Sequence, residues 1–307
     1  MALKIINPGM LTTVQDLGRP RQRHLGLPVG GAADAFALHL ANLLVGNEPN
    51  TAGLEMTLVG AELEFQCDTL VAATGAEMDG VLMNRPHVVK AGERLKFGAA
   101  KHGCRTYLAI SGGIDVPVVL GGRGTDLRSG LGGWQGRALR KDDVLPLRAV
   151  TRTVVGNWSI DPKILPVISS EPVLRTVVGT HASEFRGGIS RGMFKVTPQS
   201  DRMGLRLSGH KLHRINQTEL VSSAVSPGTV QVPPDGEPIV LLADAQTIGG
   251  YPRIAHVIRA DMSLLAQLKP GDMVRFAKVK LAEAHRLWRE QERTLSLVRQ
   301  GLRDKFR

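Results

Sequence analysis

Gln246 and Thr247 stand directly before Ile248-Gly249-Gly250-Tyr251-Pro252, two residues after Asp244. An amide and a hydroxyl beside paired glycines could hold a carbonyl or an anion. Glycines let a backbone approach a ligand closely and leave its N–H groups bare. An ordinary strand end needs polar residues, but it does not need Gln-Thr followed by Gly-Gly-Tyr-Pro. The stretch 227–253 is therefore read as a site. Its substrate-binding candidates are Gln231, Thr247, Gly249, Gly250 and Tyr251, and Gln246 is a catalytic candidate.

A second constellation is Ser200-Asp201-Arg202-Met203-Gly204. A guanidinium on a tight turn could grip a carboxylate or phosphate with two parallel hydrogen bonds, with Asp201 orienting it or a substrate amide. A plain Asp–Arg surface pair competes with that reading. Asp201 joins Gln246 as a catalytic candidate, and Arg202 joins the binding candidates. Asp34 follows Gly30-Gly31 and is first of all a helix N-cap, yet the same place favours an anion. It too is kept as a binding candidate.

Other chemistries find little support. The chain has no GxxxxGK[ST] loop and no strand–GxGxxG–helix unit. Ser111-Gly112-Gly113 lacks the GxSxG elbow and reads as a strand-end turn. His210 and His213 lack a third ligand and read as a surface pair. No metal and no biotin are expected on this chain.

Alternating apolar runs and turn residues supply the elements around these residues. Residues 3–6 read as a strand, and Thr12–Asp16 reads as a β-prone run ending in polar side chains before the turn at Gly18-Arg19-Pro20. This puts Gln15, Asp16 and Arg19 in the loop between strand and helix. Asp34 opens a helix carrying Phe36, Leu40, Leu43 and Leu44, and Gly46 closes it. Short strands are expected at 61–65, 69–73, 88–89, 94–97, 107–110, 229–232 and 239–243. Lys90-Ala91-Gly92-Glu93-Arg94-Leu95 and Lys269-Pro270-Gly271-Asp272-Met273-Val274 are turns of one shape, about 180 residues apart, and suggest a duplicated architecture. The glycine-dense stretch 121–136 reads either as a flexible surface loop or as a loop closing over an anion. Leu281, Trp288, Leu295 and Leu302 make one stripe of a final helix.

The expected organisation is a β-rich domain with one early helix at 1–150 and a linker at 151–172. A β-barrel at 173–280 and a helix at 281–307 complete it.

The chain has 307 residues, a hydrophobic content of 42%, 35 glycines, 17 prolines and 4% aromatics. That composition fits a turn-rich, mainly β protein whose cores are built from Val, Leu, Ile and Ala. The net charge of +11 has no dense basic run and no interleaved aromatics, which argues against nucleic acid. Cys67 and Cys104 have no metal or redox spacing, suit a reducing cytoplasm, and read as small buried hydrophobes. No signal pattern or membrane-length apolar run appears, so a cytoplasmic location is expected.

The sequence also resembles the biotin-dependent carboxyltransferase family, also called the allophanate hydrolase subunit 2 family. The likeness rests on Thr12-Thr13-Val14-Gln15-Asp16-x-Gly18-Arg19, Gly30-Gly31-Ala32-x-Asp34, and Ala41-Asn42-x-Leu44-Val45-Gly46-Asn47. It continues through Gly112-Gly113-Ile114-Asp115-Val116-Pro117, Ser200–Gly204 and all of 227–253. The pattern departs from the family at Ala33 and at Gly122-Arg123-Gly124.

This resemblance implies tandem β-barrels of cyclophilin-like type. The branch it most resembles, the bacterial ATP-dependent 5-oxoprolinases, opens 5-oxoproline to L-glutamate with ATP hydrolysis. The branch implies two partners: a KipI-like protein of the allophanate hydrolase subunit 1 family, and a protein of the LamB/YcsF family. ATP would be bound by, or shared with, a partner. The family also contains carboxyltransferase components of urea carboxylases and a regulator that binds a kinase-inhibitor-like partner, which are the competing functions.

Overall fold

The computed structural model describes residues 1–149, 158–215 and 218–306, and the chain forms two compact units. The first comprises Met1–Pro20, Gly30–Pro166 and Arg293–Arg307; the second comprises Arg21–Val29 and Val167–Glu292. The division between Pro166 and Val167 falls within the stretch 151–172 expected to be a linker. Residues 151–157 of that stretch lie outside the described residues.

The first unit holds β1 (Ala2–Asn7), β2 (Leu11–Gln15), helix α1 (Ala35–Leu44), β3 (Gly53–Thr57) and β4 (Glu62–Phe65). After them come β5 (Thr69–Met78), β6 (Pro86–Val89), β7 (Arg94–Lys96), β8 (Ala100–Ile110) and β9 (Val144–Pro146). They form a four-stranded sheet, β7-β4-β1-β9, and a five-stranded sheet, β2-β3-β8-β5-β6. One core lies between them. Leu3, Ile5, Leu63 and Phe65 from the first sheet meet Val14, Leu54, Met56 and Leu108 from the second, all fully or nearly fully buried. Alternation along β1 and β4 sends every second side chain inward, which is why these short strands pack on one face only. α1 covers the opposite face of the five-stranded sheet, where Leu40 and Leu44 pack with Leu70, Ala72 and Ala109.

β5 and β8 run further than their apolar residues suggested. Both continue into polar segments through bulges near Gly75 and Glu77, because the two strands keep pairing with each other.

The second unit contains β10 (Val173–Val178), β11 (Met193–Val196), β12 (Gly204–Gly209), β13 (Ser223–Ala224) and β14 (Thr229–Gln231). It continues with β15 (Ile239–Leu241), β16 (Ile248–Gly249), β17 (Arg253–Val257), the short helix α2 (Met262–Ala266) and β18 (Met273–Lys278). Seven strands close a barrel in the order β10-β17-β14-β15-β12-β11-β18, and parallel pairing of β10 with β18 completes the ring. Closure leaves the barrel no unpaired edge. Its interior is filled by Leu174, Phe194, Leu207, Val230, Val240, Val257 and Phe276. β13 and β16 stand apart as a two-stranded ribbon. The chain is thus mainly β.

Helix α3 (Leu281–Leu302) follows. Of its apolar stripe, Leu295 and Leu302 are buried in the first unit while Leu281 remains exposed. Trp288 lies under the Arg259 guanidinium, 5.1 Å from its ring centre, a cation–π contact within the second unit.

The two similar turns noted in the sequence are one hydrogen-bonded unit, and the structure contains it a third time. In Lys90–Glu93, the Glu93 carboxylate accepts from Lys90 N–H, Gly92 N–H donates to Phe65, and Phe65 N–H donates back to the Glu93 carbonyl. In Lys269–Asp272, Asp272 accepts from Lys269 N–H, and Gly271 and Asp272 exchange the same pair of bonds with Val196. Arg140–Asp143 repeats the pattern against Ile5, with Asp143 capping Arg140 N–H. The third residue always has positive φ: Gly92 at 83°, Gly271 at 97° and Asp142 at 69°. Glycine adopts that conformation without strain, and Asp142 is the exception.

Two sequence expectations are corrected by packing. The stretch 121–136 does not lie wholly on the surface, because Thr125 and Asp126 within it are buried. Cys104 is buried as expected, but Cys67 is only half-buried.

Candidate functional site

Gln246, Thr247, Gly249, Gly250, Tyr251 and Gln231 come together around the β13/β16 ribbon of the second unit. Gln231, on β14, is 1% exposed. Its carboxamide oxygen accepts from Gln246 Nε2 at 3.4 Å, and its own Nε2 donates to the Tyr251 carbonyl at 3.3 Å. A side chain at Gly249 would come 2.8 Å from Gln231 Nε2. Gly249 thus lies directly against the Gln231 carboxamide. The consequence is a pair of amides oriented by one another, with the Tyr251 ring half exposed beside them. Long hydrogen bonds of this kind are easily exchanged for bonds to an incoming carbonyl.

Arg202 belongs to the same unit but already has a partner. Its Nε lies 2.7 Å from Asp244 Oδ2 and its Nη2 lies 3.0 Å from Oδ1, with both residues buried. A substrate carboxylate would have to displace Asp244. Asp201 is exposed and its Oδ1 accepts from the Met203 and Gly204 N–H groups, so one oxygen shapes its own turn. Asp201 and Arg202 point into different surroundings despite being adjacent.

Asp34 is in the first unit. Its Oδ1 accepts from Ala37 N–H at 3.0 Å, the N-cap of α1. Its N–H donates to Tyr107 Oη at 2.8 Å, and that hydroxyl donates to Glu55 Oε2 at 2.8 Å. Burial first, and then the Glu55 charge, push the Tyr107 hydroxyl well above the usual phenol range, so it stays a donor. A Cβ at Gly31 would lie 2.4 Å from Gly18 N, because this turn is packed on Asp16–Gly18.

Asp16 and Arg19 fasten the glycine-dense loop. Asp16 accepts from the Gly18, Arg123 and Gly124 N–H groups, while Arg19 donates to the Val119 and Gly124 carbonyls. A Cβ at Gly132 would meet Arg19 Nη2, and one at Gly133 would meet Thr125 Oγ1 at 1.9 Å. At these positions glycine makes room for protein side chains.

Arg23 and His24 are absent from the residues singled out by sequence. Together with Ser226, Thr247 and Ile248 they line an open cavity of about 410 Å³ in the second unit. Their one sequence signal is the Arg19-x-Arg21-x-Arg23-His24 spacing, which gives no hint of the ribbon some 200 residues later. Among the described residues no three His, Cys, Asp or Glu side chains converge as a metal site requires. No helix among them is long and apolar enough to cross a membrane.

A mainly β chain with this barrel, ribbon and amide cluster belongs to the carboxyltransferase domain family, subdomains A and B, whose model matches residues 25–278. Among its relatives is the C subunit of 5-oxoprolinase from Escherichia coli, 42% identical over 301 residues that cover 95% of this chain and 96% of that protein. The Haemophilus influenzae protein of the same name is 37% identical and covers 99% of each chain. The structure is similar to that of the K. lactis urea amidolyase, with a TM-score of 0.90 and 30% identity. That match covers 97% of this chain but 20% of the larger polypeptide.

Proposed function

We propose that this chain is the C subunit of an ATP-dependent 5-oxoprolinase, a hydrolase complex that opens 5-oxoproline to L-glutamate. The observation that carries the proposal is the 42% identity to a protein so named, extending over 95% of this chain and 96% of that relative. The larger urea amidolyase supports a second reading, a carboxyltransferase component of a biotin-dependent system. Regulation by binding a kinase-inhibitor-like partner is the third.

A lactam is a resonance-stabilised amide, and its C–N bond yields to water only when the carbonyl is activated. Phosphorylation of the amide oxygen by ATP supplies that activation, with ADP and phosphate as the other products. The protein's task is then to hold the ring and stabilise charge on the carbonyl oxygen. Gln246, oriented by Gln231, and Thr247 are the donors suited to that oxygen. Asp201, with Oδ2 outside its turn, is the group available to direct water. Arg202 fits a positioning role, fixing the backbone at Asp244 just before Gln246.

ATP is a substrate in this proposal, held by a partner or at a shared face. The partners proposed are a KipI-like protein of the allophanate hydrolase subunit 1 family and a LamB/YcsF-family protein.

The test is ATP-dependent release of glutamate from 5-oxoproline by the assembled complex, with and without this chain. Turnover that requires this chain is the expected result. A stable complex with the KipI-like partner that lacks turnover would move the assignment to carboxyl transfer or regulation.

A further inference from the structure

Most half-buried or buried arginines of the second unit face carboxylates. Arg175 meets Asp261, Arg202 meets Asp244 and Arg214 meets Glu184. The β13/β16 ribbon is different. Arg23 donates to the Val225 carbonyl, and Arg253 donates to the Ala224 carbonyl at 2.9 Å. Among the described residues neither guanidinium pairs with a carboxylate. A carbonyl fixes a guanidinium in place but leaves its charge uncompensated and several of its five N–H groups available. Arg23 is thus left able to take an anion.

The cavity of about 410 Å³ beside the ribbon is lined by Arg23, His24, Ala224, Val225, Ser226, Thr247 and Ile248, with no acidic residue in its wall. Thr247 is 8% exposed, whereas Ile248 is 60% exposed. The cavity therefore offers a cationic end, hydroxyls and the apolar residues Ala224, Val225 and Ile248. That set matches a small ring bearing one carboxylate.

From this arrangement we infer that the cavity is the carboxylate subsite for the substrate. Arg23 grips the carboxylate through its free N–H groups, and His24 adds a donor. Ile248 covers the ring, and Thr247 links the cavity to the amide cluster at Gln246. The inference rests on the 5-oxoprolinase reading for the identity of the ring. The cationic pocket itself stands without it.

Steady-state kinetics of the assembled complex test the subsite, using Arg23→Gln, Arg23→Lys and His24→Asn. Loss of a charged hydrogen bond predicts a rise in KM for 5-oxoproline of about 10- to 100-fold in Arg23→Gln. A smaller rise is expected in Arg23→Lys, with KM for ATP unchanged. Inhibition by 2-pyrrolidinone, which has the ring but no carboxylate, should be equal in wild type and Arg23→Gln. His24→Asn carries the test if Arg23→Gln does not fold, and it should raise KM for 5-oxoproline several-fold.

An unchanged KM for 5-oxoproline overturns the inference. So does a rise confined to ATP, which would make the bound anion a phosphate. If the wild-type complex shows no turnover, the 5-oxoprolinase reading fails by itself. Calorimetric titration of this chain with cyclopentanecarboxylate and with inorganic phosphate then decides. Carboxylate binding lost in Arg23→Gln sustains the subsite, and carboxylate binding that is absent or independent of Arg23 overturns it.

Discussion

Arg202 and Asp244 form a two-pronged ion pair across 42 residues of chain, 2.7 Å and 3.0 Å long, with 6% and 8% of their side chains exposed. The Asp244 N–H also donates to the Arg202 carbonyl at 3.0 Å. Side chains and backbone thus tie the turn after β11 to the approach of the β13/β16 ribbon, two residues before Gln246.

Removing one member of this pair strands a buried charge. Arg202→Ala or Asp244→Ala should each lower stability by about 3–5 kcal/mol, measured by urea denaturation. Arg202→Met combined with Asp244→Leu should recover most of that loss. If the pair only positions the ribbon, the double variant regains turnover along with stability. A double variant that folds well yet stays inactive would place Arg202 on the substrate.

The glycine-dense loop makes a sharper steric prediction. Gly133→Ala puts a methyl 1.9 Å from Thr125 Oγ1 at a φ of 51° and should destabilise by about 2–4 kcal/mol. Gly130 also has positive φ, 66°, but open space around it, so Gly130→Ala should cost only about 1–2 kcal/mol. Thermal unfolding of the two variants separates crowding from backbone strain.

The third copy of the capped turn predicts opposite signs at neighbouring positions. Asp142 holds positive φ without being glycine, and its side chain makes only an exposed contact to Lys4. Asp142→Gly should stabilise by up to about 1 kcal/mol. Asp143 is bonded by Arg137 through both Nη groups and by the Arg140 N–H, and the Arg137 contact chiefly holds its carboxyl below the usual range. Asp143→Ala should cost about 2–3 kcal/mol. Differential scanning calorimetry checks both.

His256 gives a pH dependence. Its Nδ1 lies 3.3 Å from Thr229 Oγ1, and burial lowers its pKa from the ordinary value of 6.5. The unfolded chain then binds a proton that the folded chain refuses. Stability from this residue is full above the unfolded pKa and falls as pH drops below about 6.5. Wild type should lose more stability than His256→Asn between pH 7 and pH 5. Equal losses in urea melts at the two pH values would show that His256 is not the source.

Much of this was legible in the sequence because it is local. The N-cap at Asp34, the C-terminal Gly46 in the left-handed region and the Lys-x-Gly-acid turns are each set within about four residues, where the backbone's own hydrogen bonds decide. The short apolar and β-prone runs that became β1, β2, β4 and β14 were equally plain. The sequence alone also drew Gln231, Gln246, Thr247 and Tyr251 into one stretch.

Only the tertiary structure decided what those residues face. Strand register brought Asp244 to Arg202 and took that guanidinium out of the open. The packing of β14 beside the ribbon set the Gln231 carboxamide against Gly249. Arg23 reached the ribbon from 202 residues away, and Asp16 and Arg19 filled a loop more than 100 residues distant. Such pairings leave no periodic or local trace, because they depend on where strands are set side by side rather than on any residue's own preference.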